Sequence, residues 1–145
     1  MRYVDTSVLI AYLIPEASSA VAEAFMLSAG APLAISSWTE VELLSALGVK
    51  VRTRQLSKAA AHDVVDTYSR SVAPQLYRIA VDDADHRQAV ILLDGWRTAL
   101  RAGDGLHLAV AAAHGAAVYT LDRGMAISGA TLGIPVRLLG PHRCV

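Results

Sequence analysis

Tyr3-Val4-Asp5-Thr6-Ser7-Val8-Leu9-Ile10 sets a carboxylate at the end of a short apolar strand, then two hydroxyls, then an apolar helical start. An acid at the carboxyl end of a buried strand is costly to desolvate without a compensating partner. Thr6 or Ser7 is expected to cap the helix that follows, accepting from its free backbone N–H groups. That explains the hydroxyls and leaves Asp5 unexplained. Asp5 is therefore the first candidate functional group, and three later acids occupy comparable positions.

The chain has 145 residues, 54% of them hydrophobic, enough for one domain (1–145) with a real core. Mean hydropathy of +0.40 argues against disorder. Thirteen basic and thirteen acidic residues cancel to a formal charge of zero, so no global electrostatic footprint for nucleic acid exists, although a local basic rim is compatible. A single cysteine, Cys144, excludes an intrachain disulfide and a thiolate metal cluster, and a reducing, cytoplasmic setting is the natural one. Asp5 interrupts any leader-like apolar run, and the stretch 106–121 is broken by His107, His114 and Gly115. A soluble chain without a membrane partner is expected.

The rest of the chain alternates strands and helices. A helix over 7–13 stops at Pro15, and a second over 18–28 is expected to bury Val21, Ala24, Phe25 and Leu27. A strand over 32–36 precedes a helix from Thr39 with Val41, Leu44, Leu47 and Val51 on one side. Residues 50–58 carry Lys50, Arg52, Arg54 and Lys58 without an acid, a solvated linker or a partner contact. Ser57 caps a helix to Val72, a strand covers 76–80, and a helix covers 82–96 with Asp82, Asp83 and Asp85 in its first turn. A helix from Gly103 with Leu106, Ala109, Val110 and Ala113 as its packing face ends at Gly115, and a strand over 116–121 delivers Asp122. The last strand, 134–139, is placed at an edge because Pro135 cannot donate to a ladder. Continuous apolar strands separated by helices imply a parallel sheet covered on both faces.

In such a sheet the ligand crevice lies beyond the carboxyl ends of the strands. Asp5 and Asp122 end two strands there. Glu42 lies about two turns into the helix after the second strand, at the border of its packed face. Asp104 lies in the first turn of a helix, where free N–H groups favour an anion. Taken singly, Asp104 is also an ordinary helix cap, Asp122 a turn residue and Glu42 a solvated position. Taken together, clustered carboxylates repel, and a divalent cation is the economical counter-charge. An oxygen-only donor set selects hard ions, Mg²⁺ or Mn²⁺, suited to phosphodiester hydrolysis.

Four stretches carry a resemblance. Tyr3-Val4-Asp5-Thr6-Ser7-Val8-Leu9, Thr39-Glu40-Val41-Glu42-Leu43, Arg101-Ala102-Gly103-Asp104-Gly105-Leu106-His107-Leu108-Ala109 and Tyr119-Thr120-Leu121-Asp122-Arg123 resemble the PIN-domain motifs, in order and at compatible spacing. The length looks most like the VapC-type toxins of bacterial toxin–antitoxin pairs. The resemblance implies a three-layer α/β/α fold, with a parallel sheet of about five strands and about seven helices. It also implies Mg²⁺-dependent ribonuclease activity on structured cellular RNA such as tRNA or rRNA, homodimers, and a cognate antitoxin that plugs the acidic crevice. Carried over, Asp5, Glu42, Asp104 and Asp122 become the metal-binding and catalytic acids, with Ser7 and Thr120 as supporting hydroxyls. The expected arrangement is one Mg²⁺ between Asp5 and Asp104, with Glu42 and Asp122 binding directly or through water.

Two features depart from the pattern: Gly105 stands where the family commonly has alanine, and no further acid follows Asp122. Glu40 competes with Glu42, but residues two apart point some 200° away from each other on a helix, so only one faces the crevice. Glu42, followed by Leu43, is preferred, and Glu40 is then a solvated position. Arg97 and Arg101, four apart, are candidate RNA contacts on one helical face. His107, one turn from Asp104, is read as a supporting or packing histidine, and Trp38 and Trp96 as core or dimer contacts.

Rival enzymes fit less well. A haloacid-dehalogenase phosphatase needs a second acid where Ser7 stands, a receiver domain needs an acid on the strand over 77–81, and no Gly-rich loop marks a nucleotide fold. The remaining alternative is a catalytically inactive PIN-like scaffold that binds RNA or protein.

Overall fold

The computed structural model describes residues 1–140, so Cys144 and His142 lie outside the described residues. Strand β1 (Arg2–Val4) feeds helix α1 (Thr6–Leu13), and α2 (Ser19–Met26) leads to β2 (Leu33–Ser36). Helix α3 (Ser37–Arg52) is the longest, followed by α4 (Lys58–Thr67) and β3 (Tyr77–Ile79). Then come α5 (Asp83–Leu93), α6 (Ala102–Ala113), β4 (Ala117–Thr120), α7 (Arg123–Leu132) and β5 (Val136–Leu138). Among the described residues these are five strands and seven α-helices, as the sequence implies.

All strand pairings are parallel, in the order β3-β2-β1-β4-β5. The central strand β1 buries Tyr3 and Val4 completely, one toward each face, because successive strand side chains alternate. Tyr3 joins the cluster built on Leu108, Ala109, Val110 and Val118, and Val4 joins the one built on Leu9, Ile35 and Leu43. Helix α6 buries every residue from Gly105 to Ala111, so it is packed all round rather than along the single face expected. A Cβ on Gly105 would stand 3.2 Å from Leu93 Cγ, and glycine is what lets α6 approach α5 so closely. β5 is an edge strand, as Pro135 requires.

Several helix faces differ from expectation. On α3 the buried stripe is Thr39, Leu43 and Leu47, at i, i+4 and i+8, whereas Val41 and Leu44 are 56% and 49% exposed. On α2 only Ala22 is fully buried, and Ala24 and Leu27 face solvent. Lys50 and Arg52 are no linker: they occupy the last turn of α3, where its dipole favours cations. No helix of the described residues is long and apolar enough to cross a membrane.

Candidate active site

The carboxyl ends of β1 and β4, which pair side by side, bring Asp5 and Asp122 to the same edge of the sheet. Asp5, rather than Thr6 or Ser7, caps α1, its Oδ2 accepting from the Ser7 N–H at 3.4 Å. The two hydroxyls therefore serve the acids. Ser7 Oγ and Thr120 Oγ1 donate to Asp5 Oδ2 at 2.5 and 2.8 Å, and Thr6 Oγ1 donates to Glu42 Oε2 at 2.5 Å. Ser7 and Thr120 also accept the backbone N–H groups of Leu121 and Asp122, which ties the end of β4 to Asp5. Asp122 caps α7 through Oδ1, accepting from Gly124 and Met125 at 2.7 and 3.2 Å. Asp104 accepts the Arg101 N–H with Oδ2 at 3.3 Å, closing the first turn of α6.

Each of the four carboxylates thus spends one oxygen on the protein. The other oxygen (Oδ1 of Asp5, Oε1 of Glu42, Oδ1 of Asp104 and Oδ2 of Asp122) makes no hydrogen bond among the described residues. Nor is any of the four ion-paired to a lysine or arginine among those residues. Glu42, Asp104 and Asp122 line one cleft of about 540 Å³, with Trp38, Arg101 and Gly103 on its walls. Asp5 is 5% exposed, and with Glu42 and His107 it forms a cluster whose ligand atoms lie within 4.8 Å of one another.

The electrostatics follow from this crowding. Burial and the negative charges of Asp5 and Asp122 push the Asp104 carboxyl above its usual range, against the Arg101 N–H and His107. Burial also raises Glu42, but the hydrogen bonds from His107 and Thr6, with Trp38 beside them, outweigh it and hold Glu42 below the usual range. Glu42 Oε1 and the buried Trp38 Nε1 crowd one point beside Gly103, where an added Cβ would lie 2.5 Å from the first and 3.2 Å from the second. The indole N–H has no hydrogen-bond partner among the described residues: it bears on Glu42 by proximity, short of a formed bond. A glycine at position 103 is what allows α6 to start against α3.

An oxygen donor set that is net negative, without lysine or arginine partners among the described residues and short of one bond per carboxylate fits a hard divalent cation. Asp104 gives a direct check. An acid whose folded carboxyl titrates above its unfolded range opposes folding once the pH exceeds the unfolded value, ~3.9 for aspartate. Asp104→Asn should therefore raise the melting temperature of the chelator-treated chain at neutral pH, and the gain should fade as the pH drops below that range. A lower melting temperature at neutral pH would contradict this reading of the site.

The competing acid is elsewhere. Glu40 pairs with Arg78 at 2.7 Å and accepts the Tyr68 hydroxyl at 2.9 Å, so it is a paired residue away from the acids rather than a solvated one. Arg97 and Arg101 do not share a helical face. Arg97 follows a short 3-10 turn and donates to the Thr131 carbonyl at 3.1 Å, while Arg101 precedes α6 and lines the cleft. Trp96 is 90% exposed, and Trp38 is half-buried on the cleft wall. His107, 1% exposed, sits deeper in the site than its sequence position suggested, its Nε2 at 2.5 Å from Glu42 Oε2 and 3.6 Å from Asp5 Oδ1.

Comparison with known proteins identifies the family and the fold. The PIN-domain family model matches residues 2–127. No curated protein sequence matches the chain. Among solved structures it is similar to FitAcB from Neisseria gonorrhoeae (19% identity, TM-score 0.76, 99% of each chain covered). It is also similar to VapC20 from Mycobacterium tuberculosis, a sarcin-ricin-loop-cleaving toxin (19% identity, TM-score 0.69, covering 89% of this chain and 95% of that one). A third likeness is to VapBC2 from Rickettsia felis bound to a promoter DNA fragment (16% identity, TM-score 0.69, covering 97% and 100%). With the family model spanning most of its length and its acids gathered at the carboxyl edge of a parallel sheet, the chain belongs to the PIN-domain family.

Proposed function

We propose that the chain is a Mg²⁺-dependent endoribonuclease of the VapC type, cutting structured cellular RNA such as tRNA or rRNA, and that a cognate antitoxin neutralises it. The observation that carries this reading is the set of four carboxylates, each with one oxygen fixed by the protein and one left over, with no lysine or arginine among the described residues to balance them. Asp5, Glu42, Asp104 and Asp122 would hold the cation, which supplies Lewis acidity toward the phosphodiester and a nucleophilic water. Mn²⁺ is the natural substitute.

The chain's own residues do the positioning. Ser7 and Thr120 fix the rotamer of Asp5, Thr6 and His107 fix Glu42, and backbone N–H groups fix Asp104 and Asp122. Arg101, on the cleft wall, is the candidate contact for the RNA backbone. Similarity to a toxin–antitoxin complex from Klebsiella pneumoniae supports an antitoxin partner, and a cytoplasmic setting and homodimers accompany this reading. Exposed Val41 and Leu44 give such partners an apolar groove with Val81 and Leu106.

The inactive-scaffold alternative leaves the repulsion felt by Asp104 without a purpose. Two measurements separate the readings. The purified chain should cut an RNA pool at defined ends with Mg²⁺ and not with excess chelator. Mg²⁺ alone should also raise the melting temperature, by ~2.7 kcal/mol of added stability at a hundredfold excess over Kd. An unchanged melting temperature and intact RNA would favour the scaffold.

A further inference from the structure

Glu42 ends a line of buried groups that runs from β2 and β1 into α6. His107 Nε2 lies 2.5 Å from Glu42 Oε2 and 3.3 Å from Thr6 Oγ1. On its other side His107 Nδ1 lies 2.7 Å from the Tyr3 hydroxyl, which lies 2.8 Å from Ser36 Oγ. The Tyr3 and His107 rings meet edge-on at 5.6 Å between centroids. Tyr3 and Ser36 are fully buried and His107 nearly so.

A histidine beside two acids invites reading as a third ligand. The distance argues otherwise. Two donors bound at right angles to one ion, with bonds of ~2.1 Å, stand ~3 Å apart. At 2.5 Å a nitrogen and a carboxylate oxygen facing each other with bare lone pairs would repel, so a proton lies between them. In a neutral imidazole that proton on Nε2 leaves Nδ1 as an acceptor, and the Tyr3 hydroxyl is placed to fill it. A tyrosine hydroxyl is a protonated donor at neutral pH.

We propose that Tyr3 and His107 form a positioning strut: the Tyr3 hydroxyl fixes His107 with its proton on Nε2, and His107 holds Glu42 by Oε2 while staying off the cation. The proposal rests on the metal-site reading given above and assigns Tyr3 and His107 the task of holding Glu42. Partners of this kind, one step removed from the ion, orient ligands, and their loss typically costs ~10–100-fold in metal affinity or activity.

The direct test is nitrogen NMR of the labelled imidazole in the full chain, chelator-treated and then with Mg²⁺. A protonated Nε2 and an accepting Nδ1 in both states are expected. A Nε2 that loses its proton to solvent and coordinates Mg²⁺ would overturn the proposal. Calorimetric Mg²⁺ titration supplies the second readout. Tyr3→Phe keeps the ring and loses the hydroxyl, and should bind Mg²⁺ ~10–100-fold more weakly. His107→Gln, whose amide nitrogen can reach Glu42, should retain more affinity than His107→Leu. Wild-type affinity in Tyr3→Phe, or equal loss in both His107 variants, would sink the strut. If Tyr3→Phe fails to fold, the imidazole spectrum of the wild-type chain decides alone. A chain that binds Mg²⁺ through an intact strut but cuts no RNA overturns the nuclease reading only; a chain that binds no Mg²⁺ overturns both.

Discussion

Asp5→Asn should reduce RNA cleavage about 10³-fold, ~4 kcal/mol of activation free energy, while the variant folds nearly as well as the wild-type chain. The asparagine keeps one acceptor oxygen for Ser7 Oγ and Thr120 Oγ1, so the cap of α1 and the tie to β4 survive. What disappears is the charge. Two hydrogen bonds weaken from charged to neutral, a cost of ~1 kcal/mol, and the repulsion on Asp104 is partly relieved. From sequence alone the variant is expected to fold as well or better. The bonds from Ser7 and Thr120 remove the "better", because Asp5 is well satisfied through one oxygen. Single-turnover cleavage beside a thermal melt reads both halves. Undiminished cleavage would remove Asp5 from the chemistry, and global unfolding would make it a structural residue.

Gly129→Ala should cost the fold ~3 kcal/mol or more, because overpacking against immobile atoms is seldom absorbed. A Cβ at position 129 would lie 2.9 Å from Val136 Cβ and 3.0 Å from the Ile134 carbonyl oxygen, with Val136 Cγ2 closer still. Backbone cannot step aside as a flexible side chain can, so α7 would have to lift from β5. The expected fall in melting temperature is roughly 10 °C. Mg²⁺ should restore part of it, since α7 is capped by Asp122 and the cation would hold that end in place. An unchanged melting temperature would mean that α7 does not pack on β5 as described.

Much of this was legible in the chain. Strands that read as unbroken apolar runs paired in parallel, and Pro135 marked an edge. The faces of α3 were harder, because Val41, Leu44 and Leu47 and the set Thr39, Leu43 and Leu47 both run at helical period. The second set is the buried one, with Leu47 common to both, which turns a polar threonine inward and leaves Val41 and Leu44 outside. Glu42 was separable from Glu40 by helical geometry, but the partners of Glu40, Arg78 and Tyr68, became visible only once β3 and the segment after α4 were in place. The cap of α1 was ambiguous among three adjacent side chains, each able to accept. Position 107 hinted at its role by lying one turn from Asp104. Its decisive partner, Tyr3, is 104 residues away, and only the pairing of α6 with the central strand brings the two together.

The gathering of Asp5, Glu42, Asp104 and Asp122 around one divalent ion is the claim on which the function stands. Crystals of the chelator-treated chain soaked in Mn²⁺ and measured at the manganese edge test it most directly. An anomalous peak in the cleft, within bonding distance of the oxygens that the protein leaves free, is the expected result. A cleft without a peak, or manganese bound to Asp82, Asp83 and Asp85 at the start of α5 instead, would contradict it.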